Sequence, residues 1–507
     1  MSGSRVLTLI RGAAIASVAA LGAGSAVAAP VAAATTAAAV QVVPFSTGHI
    51  LAAGEMKQPP TTAQCESDFG IACYQAFQLQ KAYDLAPLFN KGIEGQGETI
   101  VIVDAFGSPS IASDLAAYDA QMGLPNPPSF KVITPAGPIT TTPANCTTTF
   151  SPTGPDLCSD FYGWTDETSL DVEWSHTMAP KANILLVETP MTETEGVYGF
   201  PQIVEAENYV INHHLGNVIT QSFGANENTF SNAGQIYSLR SAYFNAAVHG
   251  VTVLAASGDQ GATDDICSPS SGCANPGDVI CCSSTRAVDW PSSDPLVTGV
   301  GGTQLTLDAS GARTAPDQVW NDLSSTVGVT GPVYTWGSSG GGHSAVFSRP
   351  GFQNGVARTV GGSRGTPDIA MSAAVNGAVD FYDTTDPGVA GWGIVGGTSE
   401  ASPLFSGIVA LADQEAGHSL GDLNPALYAM GRGGAGSGIV PISTGSNSYT
   451  FCVAADLQSD SSCASSSDLV NVPGFNANGS YNDATGWGTV DAAKFVPTLA
   501  AVAGGGY

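Results

Sequence analysis

Four short runs of apolar, largely β-branched residues punctuate the middle of the chain: GETIVIVDAF (97–106), ANILLVET (182–189), GNVITQSF (216–223) and GVTVLAAS (250–257). Apolar side chains at consecutive positions suit strands covered on both faces, as in a parallel sheet. Helix-length stretches lie between them, PQIVEAENYVINHHL (201–215) and AGQIYSLRSAYFNAAVHG (233–250), and PLVTGVGGTQLTL (295–307) predicts a further strand. This alternation predicts βαβ units. The fold class is therefore α/β, a doubly wound, mostly parallel sheet with helices on both faces. No internal repeat or linker breaks the pattern after residue 65, so one large domain over 65–507 is expected.

The N-terminal pattern is different. Arg5 and Arg11 precede an apolar, small-residue stretch from Ala13 to Gly24 and the sequence SAVAAP, which reads as a signal peptide over 1–28 cut after Ala28. Residues 29–64 are Ala/Thr-rich and weakly patterned, a flexible or processed leader. No later run is long and apolar enough to span a bilayer. An exported, extracellular protein is expected. The ten cysteines agree, since an even count in an exported chain reads as five disulfides. Cys65/Cys73, Cys146/Cys158 and Cys452/Cys463 are spaced as local loops. Cys267, Cys273, Cys281 and Cys282 share one Gly/Ser/Pro-rich loop, in which the neighbours Cys281 and Cys282 each pair with one of the other two. A metal site in that loop is the competing reading, but no histidine lies among its cysteines.

Charge narrows the partners. Acidic residues number 43 against 15 basic ones, a formal charge of −28. Nucleic acid and anionic membranes need a positive surface and are excluded as partners. A monomer is expected, and such a surface fits acidic surroundings, where carboxylates take up protons and self-repulsion relaxes.

Three stretches carry candidate chemistry. In GGTSEASPLFSGIVAL (396–411), glycines suited to a tight turn precede Ser399, and Ser402–Leu411 reads as a buried helix. Ser399 at a helix start is either an ordinary N-cap or a nucleophile beside free backbone N–H groups. In DETSLDVEWSHTMAP (166–180), Glu167 and Asp171 share a helix face with Cβ atoms about 5–6 Å apart. A solvated acidic face is the plain reading. Leu170, Val172, Trp174 and Met178 make the segment too apolar for it, and buried carboxyl pairs collect at functional sites. In LAASGDQGATDD (254–265), Asp259 follows a buried strand between two glycines, at the strand end where ligands bind, or else forms an Asp turn. WGSSGGGHSAVFSRPGF (336–352) adds a glycine-rich loop, a flexible turn or a substrate wall.

Taken together and in order, ETSLDVEWSHTMAP, QSFG (221–224), SGDQG (257–261), VTGVGGT (297–303), SGGGHSAVFSRP (339–350), RGTPDIAM (364–371), GGTSEASP (396–403) and YNDATGWGT (481–489) resemble the sedolisin/kumamolisin family of serine-carboxyl peptidases. The resemblance covers Cys65 to Thr489 and implies a subtilisin-like fold. It also implies a secreted, acid-active endopeptidase acting on proteins or peptides. Ser399 is then the nucleophile, Glu167 the general base, Asp171 the carboxylate that orients it, and Asp259 the oxyanion-hole acid. A Glu base suits acid, because its reference pKa lies near 4.3 whereas a histidine near 6.5 would be protonated.

The chain departs from the family in three places. Only a short leader separates the signal from the domain, where the family carries a long propeptide. Pro441 before ISTG and Asn482 in YNDATG replace the two carboxylates of the family's structural calcium site, although Asp483 is adjacent, so no cofactor is firmly expected. Gln260 stands where serine is common. The rival readings are a subtilisin-type triad of Asp104, His176 and Ser399, a glycosidase using the paired carboxylates, and a non-catalytic secreted protein of the same fold. The first lacks the H-G-T-H stretch, and the second leaves GGTSEASP unexplained.

Overall fold

The computed structural model describes residues 50–141, 157–193, 195–264, 283–323, 335–452 and 469–504, all within one compact unit. The principal strands in chain order are β1 (Ile50–Met56), β2 (Cys73–Tyr74), β3 (Thr99–Ala105), β4 (Phe130–Ile133), β5 (Asn183–Thr189), β6 (Val218–Gln221), β7 (Thr252–Ala256), β8 (Thr298–Gln304), β9 (Gln318–Val319), β10 (Ile369–Ser372), β11 (Ala378–Asp383) and β12 (Gly391–Val395). The principal helices are α1 (Ile111–Met122), α2 (Leu157–Met178), α3 (Phe200–Asn212), α4 (Ser241–His249), α5 (Thr398–Ala416) and α6 (Ala492–Ala503).

The apolar runs form the expected sheet. Its order is β4-β5-β3-β6-β7-β8-β9, with β10 also pairing β8, and every pairing except β8–β9 is parallel. Consecutive residues of β3 enter opposite layers. Ile100 and Ile102 pack with Leu170, Trp174, Leu404, Phe405 and Phe495, from α2, α5 and α6. Val101 and Val103 pack with Ile203 and Val210 of α3 and Tyr243 of α4. Burial on both faces is why the strands are apolar at every position, and the doubly wound, subtilisin-like class holds.

Element bounds moved where local chemistry intervenes. The stretch expected as one helix over 233–250 divides into Ala233–Leu239 and Ser241–His249, with Arg240 between them outside helical geometry. There the Arg240 guanidinium holds buried Asp294. The stretch 29–64, expected as a flexible leader, is partly built into the fold. β1 pairs antiparallel with β12, Ile50 opposite Val395, at the edge of a second sheet ordered β1-β12-β11-β2. A short helix starts at Thr62, capped by the Thr61 side chain. Backbone pairing to a sheet edge needs no apolar periodicity, so composition hid this strand.

Cys65 and Cys73 form the expected disulfide. Each other expected pairing needs a cysteine outside the described residues, as does the signal peptide. Among the described residues, no helix is long and apolar enough to cross a membrane.

Glu207, fully buried on α3, makes no hydrogen bond through either carboxyl oxygen among the described residues, and burial pushes its pKa from 4.5 up to about 8. The folded state thus holds this proton more tightly than the unfolded chain does. Its contribution is intact below about pH 4.5 and declines by roughly 1.4 kcal/mol per pH unit toward pH 8. Glu207→Gln is expected to raise the melting temperature near neutrality and leave it nearly unchanged in acid, measured by thermal melts across pH.

Candidate active site

Helix α2 crosses the carboxyl ends of the central strands. Phe161 and Trp164, near its start, belong to one core layer, whereas Leu170, Val172, Trp174 and Met178 belong to the other. Glu167 and Asp171 lie on the crossing itself, both fully buried. The reading as a solvated acidic face therefore fails.

Ser222 Oγ, just beyond β6, donates to Asp171 Oδ1 at 2.8 Å, and Glu167 hydrogen-bonds to Asp171. Burial raises the Asp171 pKa far above the usual carboxylate range, and the neighbouring carboxyls of Asp104 and Glu167 add to it. Asp104, near the end of β3, is raised in the same way by burial and then by Glu167. Three carboxyls thus form one titrating cluster, stable only if it holds protons.

Ser399 is presented by the turn between β12 and α5. Gly397 has φ +121°, which a side chain disfavours. A Cβ on Gly396 would stand 2.8 Å from the Ala373 carbonyl oxygen. The Thr398 N–H and Oγ1–H both donate to Asp259 Oδ1 at 2.7 Å. The glycine-rich loop brackets Asp259 from the other side. Ser338 N–H donates to the Asp259 carbonyl at 2.8 Å and Gly340 N–H to the Gly258 carbonyl at 2.7 Å. Ser399 Oγ is buried and makes no hydrogen bond among the described residues.

The proline of the S-x-x-S-P stretch has a local consequence. Residue 403 of a regular helix would donate its N–H to the carbonyl of residue 399, and Pro403 has none. Ser222 Oγ lies 3.3 Å from that carbonyl oxygen. One turn on, Ser402 Oγ meets Thr220 Oγ1 at 2.7 Å. Helices α2 and α5 touch at Gly407, where a Cβ would fall 2.4 Å from Met178 Cβ, and Ser175 and Ser406 hydroxyls meet at 3.0 Å.

The four residues expected at the site therefore converge. Ser222 joins Asp171 to the Ser399 backbone, and Thr398, the residue before Ser399, is bonded to Asp259. Asp104, expected only in the rival triad, lies beside Glu167. His176 does not join them. Its Nε2 is 2.7 Å from the Pro125 carbonyl oxygen and 3.3 Å from Asp119 Oδ1. Sequence reasoning gave Ser222, Thr398, Pro403 and Glu400 no role, although all sit in quoted motifs. Glu400 is fully buried, and its carboxyl is raised by burial, with Asp259 adding to the shift and a bond to Ser372 opposing it.

The residues at the expected calcium loop do not fit that ion. Asn482 Oδ1 accepts from the Ala484 and Thr485 N–H groups at 3.1 and 3.0 Å, and its Nδ2 donates to the Ser480 carbonyl at 3.1 Å. The side chain is thus turned into its own loop. Asp483 Oδ2 faces His343 Nε2 at 3.1 Å, and the Ile442 carbonyl beside Pro441 accepts from Gly479 N–H at 2.8 Å. Calcium needs six to eight oxygens. Among the described residues, no group of three or more His, Cys, Asp or Glu could hold a metal ion.

Comparison with known proteins agrees with the fold. The pattern that defines the subtilase family matches residues 145–426, and the chain belongs to that family. Within it, the expected resemblance to sedolisin and kumamolisin is borne out. Kumamolisin of Bacillus sp. (strain MN-32) is 31% identical over 363 residues, 70% of this chain and 55% of that protein. Sedolisin of Pseudomonas sp. (strain 101) is 29% identical over 292 residues, 58% of this chain and 42% of that protein. The chain spans about half the length of the curated relatives it matches. The solved structure of Pseudomonas sedolisin, a serine-carboxyl proteinase complexed with two molecules of pseudo-iodotyrostatin, superposes with a TM-score of 0.60 at 23% identity. It covers 84% of this chain and 97% of that one, which supports the shared fold.

Since α2 and α5 carry the two halves of the site, their contact is a sensitive point. Gly407→Ala is expected to force them apart, cost about 1–3 kcal/mol and lower turnover. Thermal melts and initial rates on the same preparation check both effects.

Proposed function

We propose that this chain is a secreted endopeptidase that hydrolyses proteins or peptides in acid by a serine-carboxyl mechanism. The observation that carries the reading is the run of contacts from Glu167 through Asp171 and Ser222 to the backbone of Ser399, with no histidine in it. The buried histidine on the same helix, His176, is committed to Asp119 and Pro125. Export is supported by the N-terminal sequence pattern.

In this mechanism Ser399 Oγ attacks the scissile carbonyl carbon and its proton passes to Glu167. Asp171 orients Glu167 and shares its proton, so the pair accepts charge without stranding it in the core. The carbonyl oxygen becomes an oxyanion beside Asp259. Asp259 Oδ1 already accepts two bonds from Thr398, so a proton on Oδ2 is the one placed to donate. Glu167 then returns its proton to the leaving amine, and water repeats the sequence on the acyl-enzyme.

The two acid groups need opposite states. Glu167 must be able to accept a proton, and Asp259 must hold one. Activity is expected to be bell-shaped with a maximum at roughly pH 3–5. Asp259→Asn keeps a hydrogen-bond donor but loses the acid, so it should lower the rate without abolishing it. Ser399→Ala and Glu167→Gln should remove most activity without unfolding, while His176→Ala retains activity per folded molecule. Casein or peptide-library cleavage across pH checks all four. An inactive His176→Ala beside an active Glu167→Gln would reverse the assignment.

The fold is proposed to stand without calcium, because Asn482 Oδ1 and Asp483 Oδ2 are bonded within the protein and Pro441 supplies no carboxylate. Melting temperature is expected to be the same with a chelator as with added calcium. A rise on calcium addition would overturn this.

A further inference from the structure

The Ser222 hydroxyl has one proton and two oxygens within reach, Asp171 Oδ1 at 2.8 Å and the Ser399 carbonyl oxygen at 3.3 Å. It cannot donate fully to both. With Asp171 ionised, Ser222 donates to the carboxylate. With the proton on Asp171, the carboxyl O–H donates to Ser222 Oγ, and the Ser222 O–H turns to the Ser399 carbonyl. The same heavy-atom positions serve both states. The second state also satisfies a carbonyl that Pro403 deprives of its helical partner.

We propose that Ser222 is a positioning residue that reverses its hydrogen bond with the protonation of Asp171 and so couples the carboxyl pair to the backbone of the nucleophile. The proposal rests on the serine-carboxyl reading and adds a residue to it. At rest the pair holds one proton, in the bond between Asp171 and Glu167, which leaves Asp171 Oδ1 to accept from Ser222. Asp171 is fully buried, and the charged groups that face it are carboxyls, Glu167 from its own helix and Asp104 from β3. Asp104 in turn faces Glu188 and Glu193. When Glu167 takes the Ser399 proton, the pair holds two protons, one on each carboxyl: Glu167 donates to Asp171, the Asp171 O–H donates to Ser222 Oγ, and the Ser222 O–H turns to the Ser399 carbonyl. The start of α5 thus registers the charge state of the pair. No covalent bond changes at Ser222, and one hydroxyl proton changes direction.

The test is a cycle of Ser222→Ala, Pro403→Ala and the double variant, with Ser222→Thr as the conservative control and Ser399→Ala as the reference for the reading itself. Ser222→Ala is expected to lower kcat about tenfold with KM unchanged. It should also move the acidic limb of the pH profile upward, since the bond it removes favours ionised Asp171. Ser222→Thr should restore both. Pro403→Ala supplies an N–H to the Ser399 carbonyl, so adding Ser222→Ala on that background should cost several-fold less than it does alone. An unchanged kcat and pH profile in Ser222→Ala, or an effect confined to KM, would overturn the proposal. Losses that simply multiply in the double variant would overturn the shared-carbonyl part. If Ser222→Ala fails to fold, Ser222→Thr and Pro403→Ala decide, because a hydroxyl-dependent pH profile must survive the first and change in the second. Retained turnover in Ser399→Ala would instead sink the peptidase reading and leave the Ser222 geometry untouched.

Discussion

Carboxyl groups buried without cations require protons as their counter-charges, and this requirement shapes both the fold and the chemistry. Asp104, Asp166, Asp171, Glu173, Glu207, Asp380 and Glu400 are all buried, and burial is the largest cause raising each. Where the protein does bury a cation, it pairs it closely, as with Arg364 against Asp368. The carboxyls around α2 instead face one another. Such a core is comfortable in acid and strained above neutrality.

The site exploits the same condition. A helix that passes over the strand ends brings Glu167 and Asp171 into a dry place, where their protons are shared and their bonds are fixed by Ser222 and by each other. The opposing helix starts at a glycine turn, and Thr398 fastens that turn to Asp259. Gly407 lets the two helices approach closely enough for the halves to meet. Segments far apart in the chain therefore act as one unit because small residues and hydroxyls line the contact.

The second sheet gives the turn that carries Ser399 its other support. β12 runs directly into Gly396–Ser399, and it lies between β11 and β1. Part of the stretch that composition marks as leader is thus a neighbour of the strand that delivers Ser399.

The sequence by itself determined the sheet, because burial on both faces demands apolar residues in runs, and it determined the candidate residues, because their motifs are local. Glu167 and Asp171 four apart on a helix, Asp259 at a strand end and Ser399 after two glycines were all legible without coordinates. Tertiary structure alone decided that Glu167 and Asp171 are buried and not solvated, since helix direction over the sheet is a property of packing. It also decided that His176 belongs to Asp119, that Asp104 joins the carboxyl cluster, and that Ser222 reaches both Asp171 and the Ser399 carbonyl. A hydroxyl is an unspecific residue in a sequence. Its meaning comes from the two oxygens that folding places on either side of it.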